Sequence, residues 1–228
     1  MRDLLLNCGV IFKLDPDKVV PDPAWEHVIK DSNEALIIGG TQNITAANSL
    51  SLFKEIRERG FKGAVIQELT EHDAILPEAN TYMLPVVLNS GEMWWIKDAH
   101  LHAIKLYGDL IPWEKIIPVG YLICNPKAAA AQKTRAVTPT ISDAKAYLAL
   151  AEHVFNLPVF YIEYSGTFGD KALVAALAAQ RKKAALIYGG GIRSPREMSL
   201  MKPYADTLVI GNLIYEQPHV LAEITQEQ

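Results

Sequence analysis

Lys13, Asp15, Thr41, Glu163 and two glycine-ended apolar runs are the parts of this chain whose types and spacing could do chemistry. The runs are Ala185-Leu186-Ile187-Tyr188-Gly189-Gly190-Gly191-Ile192 and Thr207-Leu208-Val209-Ile210-Gly211-Asn212. Glycine lets backbone N–H groups approach an anion closely, and a helix N-terminus after it adds a favourable dipole. The pair therefore suits a phosphate. Asp15 and Thr41 suit a hard cation, because Mg²⁺ takes oxygen ligands, keeps several waters and bridges to substrate phosphates. One carboxylate and one hydroxyl are too few for a closed cage, but enough for a diphosphate-bridged ion. Each also has a plainer reading, Asp15 as the cap of a turn and Thr41 as the cap of a helix. Lys13 has three: contact with a phosphate, a Schiff base, or an ion pair with an acid on a neighbouring strand. Tyr161, Glu163 and Ser165 alternate, so they share one face of an extended segment. A carboxylate on an interior face is costly unless it meets a substrate or a hydrogen-bond partner. That makes Glu163 a candidate for orienting or deprotonating a hydroxyl, with a purely structural carboxylate as the alternative.

The elements that must gather these residues read as an alternating series. Apolar, β-rich runs recur at 9–14, 35–38, 64–69, 82–88, 119–124 and 159–163, followed by the two glycine-ended runs. Helical patterns separate most of them: Thr45–Arg59 with Thr45 as cap, Glu92–Tyr107 stopped by Gly108, Ser142–Phe155 capped by Ser142, Asp170–Lys183, and one opened by Ser194-Pro195. Eight mostly unbroken apolar runs with helices between them argue for a parallel barrel. In such a barrel the active site lies at the C-terminal ends of the strands, and the loops after strands seven and eight form a common phosphate site. Between the third and fourth runs only Glu71–Pro77 is available, too short for a normal helix. The stretch Asn125–Thr140 reads as a mobile loop above the barrel.

Bulk properties bound the rest. At 228 residues the chain fits one barrel domain spanning 1–228, and half of it is apolar. A net charge of −4 with interspersed signs gives no reason to expect nucleic acid, and Arg181-Lys182-Lys183 reads as a solvated helix end. Two cysteines, Cys8 and Cys124, make no disulfide framework. No apolar stretch reaches the roughly 18 residues needed to span a bilayer, and residues 1–7 are too short for a signal peptide. A cytoplasmic protein is expected, one that meets any lipid substrate at the membrane surface. The six histidines show no metal-ligand spacing and read as structural or surface residues. Met93, Trp94 and Trp95 form an aromatic clump that serves either core packing or the wall of an apolar channel.

Taken together, Phe12-Lys13-Leu14-Asp15-Pro16, Ile38-Gly39-Gly40-Thr41, Pro85-Val86-Val87-Leu88-Asn89-Ser90, Gly120-Tyr121, Asn125-Pro126, Tyr161-Ile162-Glu163-Tyr164-Ser165-Gly166, Gly169-Asp170, Tyr188-Gly189-Gly190-Gly191-Ile192 and Gly211-Asn212 resemble one family. It is that of the geranylgeranylglyceryl and heptaprenylglyceryl phosphate synthases. The resemblance runs in family order over nearly the whole chain. It implies a (βα)₈ TIM barrel whose third helix is missing or replaced by a short segment. It also implies ether formation between the hydroxyl of sn-glycerol 1-phosphate and C1 of a polyprenyl diphosphate, with release of pyrophosphate. Carried over, Lys13, Tyr161, Ile162, Glu163, Tyr164, Ser165, Gly166, Gly191, Gly211 and Asn212 would hold glycerol 1-phosphate. Glu163 would position its hydroxyl, and Asp15 and Thr41 would hold Mg²⁺. A homodimer is implied too. Aligning Trp95 with the bacterial pattern puts Ala103 where a small residue leaves a groove open for a heptaprenyl (C35) tail. The other readings are a C20 donor, a sugar-phosphate isomerase or aldolase barrel, and a non-catalytic phosphate-binding barrel.

Overall fold

The computed structural model describes residues 9–30 and 34–225; Cys8 and residues 1–7 lie outside them. Eight strands pair in parallel in chain order and close into a barrel. They are β1 (Val10–Leu14), β2 (Ala35–Ile38), β3 (Ala64–Glu68), β4 (Thr81–Val87), β5 (Ile116–Ile123), β6 (Val159–Glu163), β7 (Ala185–Gly189) and β8 (Thr207–Ile210). The described α-helices are α1 (Asp22–Lys30), α2 (Ala46–Glu58), α3 (Asp98–Tyr107), α4 (Ala129–Thr134), α5 (Ile141–Ala149), α6 (Lys171–Gln180), α7 (Pro195–Met201), α8 (Leu213–Glu216) and α9 (Leu221–Thr225).

The strands are unbroken apolar runs because both their faces are buried. Ile11, Ile37, Ile66, Val119, Ile187 and Val209 fill the barrel interior. Their neighbours Phe12, Leu36, Val65, Leu122, Phe160 and Leu186 pack outward against the helices. The period of two along each strand divides these sets. Pro118 lies inside β5, which begins earlier than the sequence suggests. Opposite Leu84 it pairs only with β4, since pairing with β6 starts at Val119, so its missing N–H faces a local edge.

Local chemistry sets the helix ends. Thr45 caps α2: its side chain accepts from the Asn48 N–H, while the Asn48 side chain accepts from the Thr45 N–H. The same box forms at Thr140 and Asp143, so α5 is capped by Thr140 rather than Ser142. It continues through a π-helical turn, Leu150–Val154. The Glu92–Tyr107 pattern breaks into a 3₁₀ turn at Met93–Trp95 followed by α3. The backbone of Lys182, Lys183 and Ala184, past the end of α6, is not simply solvated: all three N–H groups bond the buried Glu152 carboxylate.

Two connections shape the site. No helix lies between β3 and β4. Instead the buried Gln67 side chain donates to Ala74 O at 2.6 Å and accepts from the Leu76 N–H at 2.8 Å. This satisfies backbone that would otherwise be stranded; Leu76 and Ala79 plug the outer core, and Ala74 is buried as well. The stretch Asn125–Thr140 contains α4 and is held down, contrary to the expectation of a mobile loop. The Asn89 side chain donates to Ile123 O and Val137 O, Ser90 Oγ donates to Thr134 O, and the Gly91 N–H donates to Arg135 O. Among the described residues no helix is long and apolar enough to cross a membrane.

Candidate active site

Two cavities meet at the C-terminal mouth of the barrel. The smaller, about 80 Å³, lies among the loops after β7 and β8. The larger, about 590 Å³, runs from the mouth down the outside of β4 under α3.

Backbone turns build the small pocket. Gly191 has φ +54°, and a Cβ there would sit 2.1 Å from the Thr167 carbonyl carbon. Only glycine therefore lets the loop after β7 lie flat on the loop after β6. The Tyr188 hydroxyl fastens the two loops, accepting from the Gly169 N–H at 2.8 Å and donating to Gly190 O at 2.7 Å. Lys13, Asp15, Tyr161, Ser165, Gly166, Gly191, Gly211 and Asn212 line this pocket, so the structure gathers eight of the anticipated residues in one place. Lys18, Arg193 and Tyr215 also line it, and none was singled out from sequence. Ile162 and Tyr164 lie elsewhere: their side chains pack in the outer core. The alternation that turns Tyr161 and Glu163 inward turns these two outward, so they reach the mouth only through backbone.

Between the cavities lies a buried charge cluster. Lys13 lines both. Its ammonium pairs with Glu68 Oε2 at 2.5 Å across the barrel interior, and the Tyr121 hydroxyl donates to the other oxygen of Glu68. Glu68 is a site residue that the sequence reading passed over. Burial would lower the Lys13 pKa, but Glu68 and then Glu163 more than offset it and hold it above the ordinary value. Burial pushes the Glu163 carboxyl above the usual carboxylate range, against the pull of Lys13; Glu68 adds to the rise, and the 2.9 Å bond from Ser165 Oγ opposes it. A lysine held charged between two carboxylates is the opposite of a Schiff-base lysine, whose pKa must fall. Tyr121 and Tyr161 stack with ring centroids 4.7 Å apart and planes 8° from parallel, one facing each cavity.

Asp15 lies directly over Gly40, where a Cβ would come within 2.5 Å of its Oδ1, so the carboxylate sits beside the residue preceding Thr41. Oδ1 accepts from the Asp17 N–H at 3.0 Å, and Lys18 Nζ is 3.9 Å from Oδ2. Burial raises the Asp15 pKa. Among the described residues no three His, Cys, Asp or Glu side chains form a group that could hold a metal ion. Asp15 lines the small pocket and Thr41 the groove; one carboxylate and one hydroxyl at the mouth would leave waters and phosphate oxygens to complete the coordination of a Mg²⁺.

The groove is mostly apolar, with its charged residues including Lys13, Glu68, Glu71 and Glu163. Ala99, Ala103 and Tyr107 share one face of α3 and line it, opposite Tyr82, Leu84, Pro85 and Val87 of β4. β3 pairs with β4 only from Thr81 to Met83, so β4 has a free edge beyond that. Met83 O accepts from the Leu69 N–H. Pro85, two residues on, addresses the same side after β3 has ended, where the missing N–H costs nothing. Trp95 lines the groove, whereas Met93 and Trp94 are exposed. His72 and His100 line it as well, His72 as an exposed residue. The Nε2 of His100 is buried without a partner, and burial lowers the pKa of the ring.

The sequence matches the PcrB family over residues 5–228. It is similar to the heptaprenylglyceryl phosphate synthase of Geobacillus kaustophilus (strain HTA426), 42% identical over 207 residues, covering 90% of this chain and 86% of that one. The enzyme of the same name from Brevibacillus brevis (strain 47 / JCM 6285 / NBRC 100599) is 40% identical over 206 residues, covering 90% and 88%. Among solved structures, (S)-3-O-geranylgeranylglyceryl phosphate synthase from Thermoplasma acidophilum, crystallised with sn-glycerol-1-phosphate, superposes with a TM-score of 0.83. It is 21% identical, with 100% of this chain and 97% of that one covered, a likeness that speaks for the fold alone.

Proposed function

The chain belongs to the PcrB family, and from that premise we infer that it is a prenyltransferase, joining sn-glycerol 1-phosphate to a long polyprenyl diphosphate through an ether bond. The heptaprenyl donor is the favoured one. The observation that carries this reading is Lys13: a single half-buried ammonium lines both a glycine-walled anion pocket and a long, mostly apolar groove. Two substrates, one small and anionic and one long and apolar, would present their reacting ends on either side of it.

In this reading the glycine loops, with Lys18 and Arg193, grip the phosphate of the acceptor, and Ser165 and Glu163 address its free hydroxyl. Glu163 accepts the proton as the hydroxyl oxygen attacks C1 of the donor. The C1–O bond to the diphosphate breaks, and pyrophosphate leaves with the electron pair. The stacked faces of Tyr121 and Tyr161 lie where positive charge develops on the allylic carbon. Asp15 and Thr41 would hold Mg²⁺, which when bound neutralises the leaving pyrophosphate as a Lewis acid. The groove takes the tail, and Ala103 leaves it open for the longer donor.

The same reading has the protein acting in the cytoplasm as a homodimer that touches the membrane to collect its donor. Exposed Leu106, Leu110 and Trp113 beside the far end of the groove support the membrane contact. Exposed Ile141 at the start of α5, and Val154 and Phe155 at the end of the π-helical turn that continues it, leave apolar surface for a second copy. The deciding experiment incubates the protein with labelled sn-glycerol 1-phosphate, Mg²⁺ and C15, C20 or C35 diphosphates and separates the products. A labelled prenyl ether, formed fastest from the C35 donor, is expected; no ether with any donor refutes the reading.

A further inference from the structure

A donor whose tail fills the groove must leave its diphosphate at the mouth, beside Thr41. The cations of the mouth divide by position. Lys13 is committed to Glu68 and Glu163. Lys18 and Arg193 line the acceptor pocket. Lys115 lines the groove just ahead of β5, at the end away from the mouth. Among the described residues, Lys133, on α4, is the cation where the donor side meets the mouth. Its Nζ donates to Thr41 O at 3.2 Å, pairs with Glu71 Oε1 and lies 5.4 Å from the Trp95 ring centroid. Thr41, Glu71 and Trp95 all line the groove, so the ammonium sits where the apolar channel opens toward the chemistry. The helix that bears it is fastened by Ser90 Oγ to Thr134 O at 2.7 Å and by the Gly91 N–H to Arg135 O at 3.0 Å. The charge is held in place, not carried on a swinging segment.

We propose that Lys133 is the diphosphate-binding residue of the donor subsite, and that Glu71 holds its ammonium there until the donor arrives. The proposal rests on the prenyl-transfer reading above. A diphosphate brings several negative charges to a mouth that already carries Asp15 and Glu71, and a lysine point charge on a flexible stem suits it. When the C1–O bond breaks, the departing oxygen gains negative charge, and among the described residues Lys133 is placed to receive it. Its side chain is 32% exposed, so it can exchange the Glu71 carboxylate for a phosphate oxygen without leaving a buried orphan.

The test measures calorimetric binding of inorganic pyrophosphate in EDTA, and separately of sn-glycerol 1-phosphate, to the wild type, Lys133→Gln, Lys133→Arg and Glu71→Gln. Lys133→Gln is expected to weaken pyrophosphate at least about tenfold, the effect of losing one charge-assisted bond, while leaving glycerol phosphate unchanged. Lys133→Arg keeps most of the affinity. Glu71→Gln tightens pyrophosphate, because it removes the competitor. A strap that merely ties α4 to the loop after β3 predicts that Lys133→Gln and Glu71→Gln weaken pyrophosphate alike; that result overturns the proposal. Unchanged pyrophosphate binding in Lys133→Gln overturns it too. If the wild type forms no prenyl ether yet Lys133→Gln still loses pyrophosphate, the subsite stands and only the reading of the reaction falls.

Discussion

Ala103→Trp is the substitution that most directly tests how the groove selects its donor. An isoprene unit has four backbone bonds and spans about 5 Å extended, so a C35 tail of seven units is about 35 Å long. The wall of β4 from Tyr82 to Val87 gives the groove a depth of about 17 Å. It encloses three or four units; the rest must pass Leu110 and Trp113 at the far end, where Leu110 is 83% exposed. From Ala103 to Tyr107 the lining face of α3 runs about 6 Å further from the mouth. An indole at 103 therefore shuts off about one enclosed unit and leaves room for about two. Each five-carbon unit gains about 4 kcal/mol on full burial, and roughly half that in a groove open along one side. Losing one such unit costs about 2 kcal/mol, a factor of about 30 in kcat/KM for the C35 donor. The assay is competition between C10 and C35 diphosphates with labelled sn-glycerol 1-phosphate. The ratio of C35 to C10 use should fall about 30-fold, with C10 turnover preserved as proof of an intact fold, because a tail of two units ends short of the blocked part. A ratio within about threefold of the wild type refutes the groove assignment.

Four further outcomes follow from the site. Glu163→Gln should lower kcat about 10²–10³-fold while the KM for glycerol phosphate stays within a few-fold, because a general base acts in the transition state. Equal losses in kcat and KM would deny it that role. The acid limb of the wild-type kcat profile should lie above the ordinary glutamate value of about 4.3, since burial raises Glu163 and the base works only when deprotonated. Gly191→Ala forces a Cβ into the Thr167 backbone and should cost on the order of 2–4 kcal/mol of stability along with glycerol phosphate binding. Gly60→Ala, with φ +98° but open space around it, should keep full binding as the control. His100 has a lowered pKa in the fold, so it binds protons more readily unfolded. Its contribution to stability is complete above about pH 6.5 and is lost as pH falls through the folded value. Urea midpoints at pH 7.5 and 5.5 should therefore converge in His100→Leu; an unchanged difference would assign the acid sensitivity to another group.

The barrel was legible because its signals are local. Apolar runs, the Thr45 cap and the glycine-ended strands each declare themselves within a few residues, and each strand lies within a few residues of its run. The absent helix was legible as a shortage of chain between β3 and β4. Glu68 was not, because its partner Lys13 is 55 residues away and the pair exists only once the barrel closes. The fastening of Asn125–Thr140 escaped for the same reason: alanine-rich composition suggested mobility, while the restraint comes from Asn89 and Ser90. Two details were within reach of the sequence. The outward facing of the Ile162 and Tyr164 side chains follows from the alternation that placed Glu163 inside, and Thr140-Ile141-Ser142-Asp143 spells the capping box that makes Thr140, not Ser142, the cap.

The missing helix and the long groove are one feature seen twice. A regular barrel covers the outer face of every strand, and a helix between β3 and β4 would cover the half-buried Leu84 where the groove now passes. Removing that helix leaves two debts, stranded backbone and bare apolar surface. Gln67 and the Tyr82 hydroxyl settle the first by bonding the backbone of residues 74–76. The second remains as the groove wall. A channel outside the barrel, opening into a mouth that faces the barrel interior, lets a tail longer than the fold is deep bring its reactive end to a small anion pocket. Such a channel cannot run through the barrel itself, because the interior side chains of Ile11, Ile37, Ile66, Val119 and Ile187 fill it. Filling the gap between β3 and β4 with a designed helix should therefore abolish use of every long donor while leaving glycerol phosphate binding intact.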